Sequence, residues 1–250
     1  MVVIRTSREL ALMREAGRIS ANALKLAGEA VEPGVSTLEI DTIVRKYIEK
    51  EGAIPSFLGY GGFPASACIS VNDVVIHGIP SKKCILKEGD IVSVDVGAFI
   101  DGFHGDNAYT FPCGKISAEA QALLKATDES LYEGIKAAVA GNRIGDIGHA
   151  VQKYVEDRSY SVVRDFVGHG VGAKLHEDPA VPNYGTPGRG VRLMPGMTIA
   201  IEPMITAGDY KVKVLDDDWT TITVDGSLAA HFEHTVAITP DGPKILTIPD

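Results

Sequence analysis

The chain has 250 residues, of which 45% are hydrophobic and 23% are charged, an ordinary composition for a globular protein with one large domain or two small ones. The net charge of −9 and the pI near 5.3 exclude the basic surface that an obligate nucleic-acid-binding protein needs. Three cysteines without a Cys-x-x-Cys spacing predict neither a disulfide framework nor a thiolate zinc site. Since no apolar run approaches the about 18 residues of a membrane span, we expect a cytoplasmic protein without nucleic-acid or membrane partners.

Two helices are predicted before the first strands. Thr6-Ser-Arg-Glu9 is a capping-box pattern, and the apolar spacing after it predicts a long helix that Pro33-Gly34 ends. Ser36-Thr-Leu-Glu39 is a second capping box. The helix that it opens is predicted to stop near Gly52.

Short strands are predicted next. They surround the glycine-rich stretch Gly59–Phe63 and include Cys68–Val71 and Val74–Ile76, with a turn at Asn72-Asp73 between them. The second of these strands leads to His77.

The segment Ile91–Phe111 is predicted to be an antiparallel hairpin, because strand-forming residues flank the turn signal Asp101-Gly102. Asp95 lies inside an apolar strand, and Asp106 lies on the other arm. A buried carboxylate must be paired, protonated or bound to a cation. Asp95 is therefore a candidate metal ligand, although a hydrogen-bonded structural aspartate remains an open alternative for this residue taken alone.

The chain resembles itself at a constant shift. Gly34–Gly52 matches Gly141–Ser159, and Asp95 and Glu202 lie the same 107 positions apart. Further matches are Leu86 with Leu193, Gly89 with Gly196 and Val94 with Ile201. We therefore predict two similar halves, about 1–110 and 111–250, which join into one sheet.

The second half is predicted to repeat the order of the first. Ile116–Val139 forms its long helix and Gly145–Arg158 its shorter one. The strand Thr198–Glu202 is followed by an extended excursion, after which one strand carries His231–Val236.

Alternation along that last strand puts His231 and Glu233 on one face and His234 on the other. Glu233 is thus the counterpart of Asp106. An approximate twofold axis would bring four carboxylates to one point, namely Asp95, Asp106, Glu202 and Glu233. Four carboxylates cannot sit together ionised without cations, and two divalent ions balance their charge.

The repeat breaks its symmetry at Gly-His169-Gly-Val-Gly, where the first half carries Gly62 instead of a histidine. A lone histidine is more often structural than a ligand. The flanking glycines, however, allow the backbone to come close to a site. A structural histidine and a fifth metal ligand both remain open at this point.

The ordered set Asp95, Asp106, His169, Glu202 and Glu233 resembles the five metal ligands of the methionine aminopeptidase family. Around it stand stretches that resemble the family's motifs, namely His77-Gly-Ile-Pro, Gly-His169-Gly-Val-Gly, Leu-His176-Glu-Asp-Pro and Ala-Ile-Glu202-Pro. The resemblance covers nearly the whole chain. It implies an α+β pita-bread fold, in which one catalytic domain consists of two similar α/β halves around a pseudo-twofold curved antiparallel sheet.

The resemblance also implies the activity, which is the removal of N-terminal methionine from nascent polypeptides when the second residue is small. The family uses two divalent ions, and a hydroxide that bridges them attacks the first peptide bond. Glu202 would carry the proton, while His77 and His176 would contact the substrate's amide and the developing oxyanion. The ligand set does not choose among cobalt, manganese, iron and zinc.

The substrate's methionine needs a slot that suits a thioether. By resemblance, this pocket is formed by Tyr60, Phe63, Cys68, His77, Leu175 and Trp219, with Phe57 beside them. Several family members have an aromatic residue in place of Leu175 and a tyrosine in place of Phe63, so the pocket is expected to be slightly wider or less polar here. His104, His149 and His234 are expected to be structural or surface residues, and His231 at most a neighbour of a ligand.

Two alternatives stand beside this interpretation. The first is a catalytically inactive pita-bread protein that only binds a partner, which would be marked by lost ligands. The second is a relative of the prolidases or creatinases, which carry a preceding domain for which there is no room before Thr6. The lack of an N-terminal extension, and of a long insertion before His231, resembles the short bacterial type I form, and we expect a monomer.

Overall fold

A computed structural model describes residues 2–250 of the chain. Its four α-helices are α1 (Ser7–Glu29), α2 (Thr37–Lys50), α3 (Ala118–Ala137) and α4 (Ile144–Glu156). The strands before α3 are β1 (Ile54–Pro55), β2 (Ala67–Val71), β3 (Val74–Ile76), β4 (Ile91–Ile100) and β5 (Phe103–Pro112), with a 3-10 turn at Tyr60–Gly62. The later strands are β6 (Ser161–Val162), β7 (Gly168–Gly170), β8 (Glu177–Val181), β9 (Thr198–Ile201), β10 (Met204–Thr206), β11 (Val212–Val214), β12 (Thr221–Thr223), β13 (Ala229–His231), β14 (Glu233–Thr239) and β15 (Gly242–Ile245).

Nine strands form one curved antiparallel sheet that runs through both halves of the chain. Its order is β1-β4-β5-β14-β9-β7-β8, with β2 also paired to β4 and β15 to β14. Two three-stranded sheets, β13-β10-β6 and β11-β12-β3, accompany it. This is the α+β pita-bread architecture, so the predicted fold class is confirmed.

The hydrophobic core is divided into two large clusters. One joins α1 and α2 to the first strands and includes Ile19, Ile40, Val44, Val92 and Val94. The other joins α3 and α4 to the later strands and includes Leu123, Leu131, Ile147, Ile199 and Ile201. Each pair of helices therefore covers its own part of the sheet, and the opposite face of the sheet remains available for polar side chains.

The spacing of the sequence repeat recurs in the elements. α2 begins at Thr37 and α4 at Ile144, which are 107 positions apart, and β1 and β6 begin at Ile54 and Ser161, the same distance apart. An isolated antiparallel bridge joins Ser36 to Ile85, and its equivalent joins Arg143 to Arg192.

Local signals for the ends of the elements are confirmed. Thr6 and Ser36 are the N-caps of α1 and α2, and each forms the capping box that the sequence predicts. Asp101 and Gly102 both have positive φ, 52° and 86°, as the tight hairpin turn between β4 and β5 requires. The helices are one or more residues shorter than predicted at most ends; α1, for example, stops at Glu29.

One predicted strand is wrong. His231–Val236 is not a single strand, because the chain leaves one sheet and enters another at Phe232. β13 pairs with β10 in a three-stranded sheet, whereas β14 pairs with β5 and β9 in the large sheet. Phe232 is buried between the two and packs edge-on against Tyr109 at 4.6 Å between ring centroids.

None of the helices within residues 2–250 is long and apolar enough to cross a membrane.

Candidate metal centre and substrate pocket

Alternation along β4 decides which way Asp95 faces. Val94 and Val96 pack in the cluster under α1 and α2, so Asp95 between them faces away from the helices. In the hairpin, Asp95 pairs with Ala108, which lies two residues beyond Asp106 on β5. Because paired residues share a face of the sheet, Asp95 and Asp106 are diagonal neighbours on the face opposite the helices.

The acids of the second half reach the same face. Glu233 begins β14 and pairs with Ala108 from the other side, so Asp95, Ala108 and Glu233 form a row across three strands. The small methyl group of Ala108 leaves space between the two carboxyl groups. Glu202 follows directly after Ile201, which is buried against α3 and α4, so Glu202 also faces away from the helices.

His169 is held with one nitrogen directed at these acids. Its Nδ1 donates to the carbonyl oxygen of Gly170 at 2.8 Å, which leaves Nε2 with the lone pair. This Nε2 lies 3.8 Å from Asp106 Oδ2 and 3.5 Å from Glu202 Oε1. The flanking Gly170 permits close packing of β7 on β8, since a β-carbon there would overlap the carbonyl oxygen of Asp178.

The donor atoms fit a divalent metal ion. One carboxylate oxygen each from Asp106 and Glu233 and one nitrogen of His169 lie within 4.8 Å of one another. Asp95 Oδ1, Asp106 Oδ1 and Glu233 Oε1 are buried and accept no hydrogen bond from any of the residues 2–250. Such oxygens require a positive partner, and carboxylates with a single imidazole suit a first-row divalent metal.

Burial of several acids in one place raises the pKa values of their carboxyl groups. Burial raises the pKa of Asp106 to about 7. Burial, together with the neighbouring carboxylates, holds the pKa values of Asp95, Glu202 and Glu233 well above their usual range. A divalent cation at this point offsets both effects. His169 is neutral, because burial lowers its pKa to about 3, and a neutral imidazole is the form that binds metal.

A cavity of about 180 Å³ opens from the acids. All the predicted metal-binding, catalytic and substrate-binding residues line it, namely Tyr60, Phe63, Cys68, His77, Asp95, Asp106, His169, Leu175, His176, Glu202, Trp219 and Glu233. Phe63, Cys68 and Leu175 are buried and pack with Phe57 and Trp219 as one apolar cluster beside the carboxyl groups. The structure thus brings every predicted site residue to one place, while the role of each remains a prediction.

The two histidines expected to contact substrate, His77 and His176, both line this cavity. His77 has a positive φ of 58°, a conformation that is uncommon for a non-glycine residue. Its ring meets Phe166 and Trp219 edge-on, at 5.6 and 5.9 Å. His176 shares a hydrogen bond of 2.8 Å between its Nδ1 and the Tyr60 hydroxyl.

Burial affects both imidazoles in the same direction. It lowers the pKa of His77 to about 4, with a smaller contribution from His176, and it lowers the pKa of His176 as well. Both rings are therefore neutral near pH 7, and each has one N–H to donate.

Sequence reasoning missed part of the lining. Ile76, Phe166 and Val167 also line the cavity; the only available signal for the last two was their place just before His169. His231 Nε2 lies 3.7 Å from Glu202 Oε2, which agrees with its expected place beside a ligand. His234 shares a hydrogen bond with Thr247 and lies near Tyr132, on the opposite side of the sheet from the cavity.

Comparison with known proteins adds a second line of evidence. Residues 11–240 match metallopeptidase family M24. The chain is 55% identical over 248 residues to a methionine aminopeptidase of Clostridium acetobutylicum and 54% identical over 247 residues to methionine aminopeptidase 1 of Bacillus subtilis, covering 99% of each chain in both cases. A methionine aminopeptidase of Thermotoga maritima of known crystal structure superposes with a TM-score of 0.97 at 48% identity over 99% of both chains.

These similarities extend over full lengths, and they include the segments that carry the carboxyl cluster and the cavity. The identity is to methionine aminopeptidases, so the alternative of a prolidase or creatinase relative is set aside. None of the five predicted ligands is replaced or turned away from the cavity among the described residues, which also argues against the inactive binding protein. The chain therefore belongs to metallopeptidase family M24 and, within it, to the methionine aminopeptidases of type I.

Proposed function

We propose that the residues around this cavity catalyse the removal of N-terminal methionine from nascent polypeptides, the metal-dependent hydrolysis that membership of the methionine aminopeptidases assigns to the chain. The observation that carries the proposal is the contact of an apolar slot with a buried carboxylate cluster in a single cavity. The slot suits an unbranched side chain, and the cluster suits metal ions.

We propose two divalent ions, because four carboxylates balance four positive charges. Asp106, Glu233 and His169 would hold one of them, with Asp95 and Glu202 completing the ligand set. The bound metal would supply a Lewis acid that polarises the scissile carbonyl and lowers the pKa of water. The choice among cobalt, manganese, iron and zinc stays open, since this ligand set accepts all of them.

Glu202 is the proposed proton carrier. Its carboxyl lies at the end of β9 between His169 and His231, 3.5 and 3.7 Å away, and burial raises its pKa. A carboxylate at this position can accept a proton from the attacking water and return it to the leaving nitrogen. Its side chain is 12% exposed, so the cavity reaches it.

His77 and His176 would donate hydrogen bonds to the substrate. Because both imidazoles are neutral, each offers one N–H without adding positive charge beside the metal ions. The Tyr60 hydroxyl engages His176 Nδ1, so Nε2 is the nitrogen that would donate to the substrate. The reacting amide would thus be held between the two histidines.

The apolar side of the cavity would bind the methionine side chain. Phe63, Leu175 and Cys68 are almost fully buried, and Trp219 closes against Phe63 with ring centroids 5.1 Å apart. Thioethers make favourable contacts with aromatic edges. We also propose a preference for substrates whose second residue is small. Leu175 and Phe63 would make the methionine pocket slightly wider or less polar than in several family members.

The organisation of the protein is proposed in the same way. A single catalytic domain of two halves, about 1–110 and 111–250, is supported by the two core clusters and by the spacing of α2 and α4. A cytoplasmic location is supported by three free thiols, which suit a reducing compartment. A monomer that acts on polypeptide N-termini remains our expectation.

The test compares substrates on metal-reconstituted protein. We expect hydrolysis of Met-Ala-Ser, no hydrolysis of the N-acetylated peptide, and no activity on Ala-Pro, since only the first has a free methionine at its N-terminus. Cleavage of Ala-Pro with no cleavage of Met-Ala-Ser would overturn the proposal. Each divalent metal is added in turn, so that the same assay ranks the candidate ions.

A further inference from the structure

A buried ion pair joins the N-terminal segment to the start of β8. Arg5 Nη2 contacts Glu177 Oε2, and the side chains are only 6% and 11% exposed. The two residues are 172 positions apart in the chain. Removing one member of a buried pair leaves the other charge uncompensated, so such a contact holds its two segments together strongly.

Arg5 has several contacts besides its ion pair with Glu177. Its backbone N–H donates to the carbonyl oxygen of Gly196 at 2.8 Å, and its guanidinium lies 5.6 Å from the centre of the Phe103 ring. The guanidinium also rests against the backbone of Gly172, where a β-carbon would overlap it. Arg5 therefore acts as a rigid support rather than as a mobile surface side chain.

Glu177 connects this support to residues 172–176, which we name the His176 loop. While Glu177 Oε2 contacts Arg5, Glu177 Oε1 accepts a hydrogen bond from the backbone N–H of Lys174 at 3.0 Å. The loop is closed by a bond of 3.0 Å from the N–H of Gly172 to the carbonyl oxygen of Lys174. Arg5 thus supports the loop at Gly172 directly and at Lys174 through Glu177.

The His176 loop presents two residues to the cavity. Leu175 is buried among the aromatic residues of the substrate slot. His176 follows it, with its ring centroid 4.1 Å from that of His169 and its Nδ1 engaged by Tyr60. Only one peptide bond separates His176 from Glu177, so a displacement of the backbone at Glu177 also displaces His176.

We infer that Arg5 is a positioning residue for the reaction: through Glu177 it sets where His176 and Leu175 stand relative to the substrate. The inference rests on the proposed function, because it presumes that His176 meets the scissile amide. Arg5 itself lines no part of the cavity. Its effect on turnover is therefore indirect and should leave the metal-binding residues unaffected.

The test uses Arg5→Ala, Arg5→Lys and Glu177→Gln in the full chain, with kcat and KM for Met-Ala-Ser expressed per metal-loaded site. We expect Arg5→Ala and Glu177→Gln to lower kcat by about 10- to 100-fold, the usual effect of misplacing a reacting group by about 1 Å. Metal content should equal that of the wild type. Arg5→Lys should recover part of kcat, because an ammonium keeps the charge but cannot lie flat on Gly172.

The double variant Arg5→Ala with Glu177→Gln should be no slower than the worse single variant, because the two residues act as one unit. Arg45→Ala is the matched control: it removes an arginine from an exposed ion pair with Glu49 and should leave kcat unchanged. If Arg5→Ala does not fold, the kcat of Glu177→Gln decides the test, because this substitution keeps the shape of the side chain.

The possible outcomes distinguish a failure of the proposed function from a failure of the positioning role of Arg5. Wild-type protein that fails to hydrolyse Met-Ala-Ser would count against the proposed function, whatever the variants do. An active wild type together with Glu177→Gln at wild-type kcat would overturn the positioning role. A variant that loses only thermal stability or metal, with kcat per loaded site unchanged, would overturn it too, because Arg5 would then serve the fold alone.

Discussion

The first half of the chain brings Asp95 and Asp106 into the site on one uninterrupted hairpin, whereas the second half brings Glu202 and Glu233 from two strands with a long excursion between them. In the first half, β4 and β5 are joined by the two-residue turn Asp101-Gly102. In the second half, residues 203–232 contain β10 to β13 before the chain returns at β14. The carboxylates are thus placed by similar strands in both halves, but the connections differ.

Residues 203–232 contribute a part of the site that has no equivalent in the first half. β12 pairs with β3 of the first half, where Thr221 lies opposite Ile76, and this pairing carries Trp219 to the cavity next to His77. His169 is likewise present only in the second half, since the equivalent Gly62 lies in a 3-10 turn. The shared strands carry the four carboxyl groups, and the unshared segments add His169 and Trp219.

The largest expected effect distinguishes Asp106, a proposed metal ligand from the first half, from His176, a histidine found only in the second half. Asp106→Ala should reduce metal affinity by more than the about 10- to 100-fold that is typical of residues that only contact a ligand. His176→Ala should keep its metal and lose about 10²- to 10³-fold in kcat, as expected when a donor to a developing oxyanion is removed. Metal analysis and kinetics on the same samples measure both. If Asp106→Ala kept its metal and His176→Ala lost it, His176 would be the metal ligand and Asp106 the catalytic residue.

The next prediction compares the equivalent acids Asp95 and Glu202. Glu202→Gln keeps the size of the side chain but cannot accept and return a proton, so kcat should fall by about 10² or more at saturating metal. Asp95→Asn should weaken metal binding, with kcat largely restored by excess metal. Steady-state rates across a metal titration distinguish the two variants. Near-normal turnover of Glu202→Gln would show that another group moves the proton.

A third prediction concerns the acids of both halves, which are buried together in one cluster. The pKa of Asp106 is raised from 3.8 to about 7, so the folded protein without metal keeps a proton that the unfolded chain has released. The contribution of Asp106 to the stability of metal-stripped protein should therefore be fully present below about pH 4 and should be lost as the pH rises towards about 7. Metal-loaded protein should lack this fall, because the cations offset the negative charge.

Thermal unfolding at about pH 5 and about pH 8, with and without chelator, measures this difference. The gap between loaded and stripped protein should widen at the higher pH. A control at high salt separates the buried cluster from surface charges, because salt screens exposed pairs far more than buried ones. An equal gap at both values of pH would mean that burial does not raise the pKa of Asp106 as described.

The smallest expected effect tests the helices α2 and α4, which start at equivalent positions. Ser36 accepts from the backbone N–H of Glu39 at 3.3 Å and caps α2, whereas the side chain of Arg143 caps no N–H of α4. Ser36→Ala should lower the free energy of unfolding by about 1 kcal/mol. Arg143→Ala should cost less, and chemical denaturation measures both. Equal losses would mean that the two helix starts are energetically alike despite their different caps.

Much of the fold and of the site could be predicted from the chain itself. The capping boxes of Thr6 and Ser36 and the turn at Asp101-Gly102 are patterns of neighbouring residues, and their geometry depends on local sterics and hydrogen bonds. The order of the acids along the chain, and the constant spacing of 107 positions that relates Asp95 to Glu202, could also be read from the sequence. The resemblance to the methionine aminopeptidases then predicted the fold class, which the structure confirms.

The remaining features depend on contacts between distant segments. Phe232 divides a stretch that alternates like one strand, because β13 and β14 find partners in different sheets. Phe166 lines the cavity and packs against His77, which is distant in sequence, and Arg5 reaches Glu177 across 172 positions of sequence. Alternation and capping act within a few residues, so they determined the elements and the direction of each acid. Which elements meet depends on the packing of the whole sheet, and only the tertiary structure decided it.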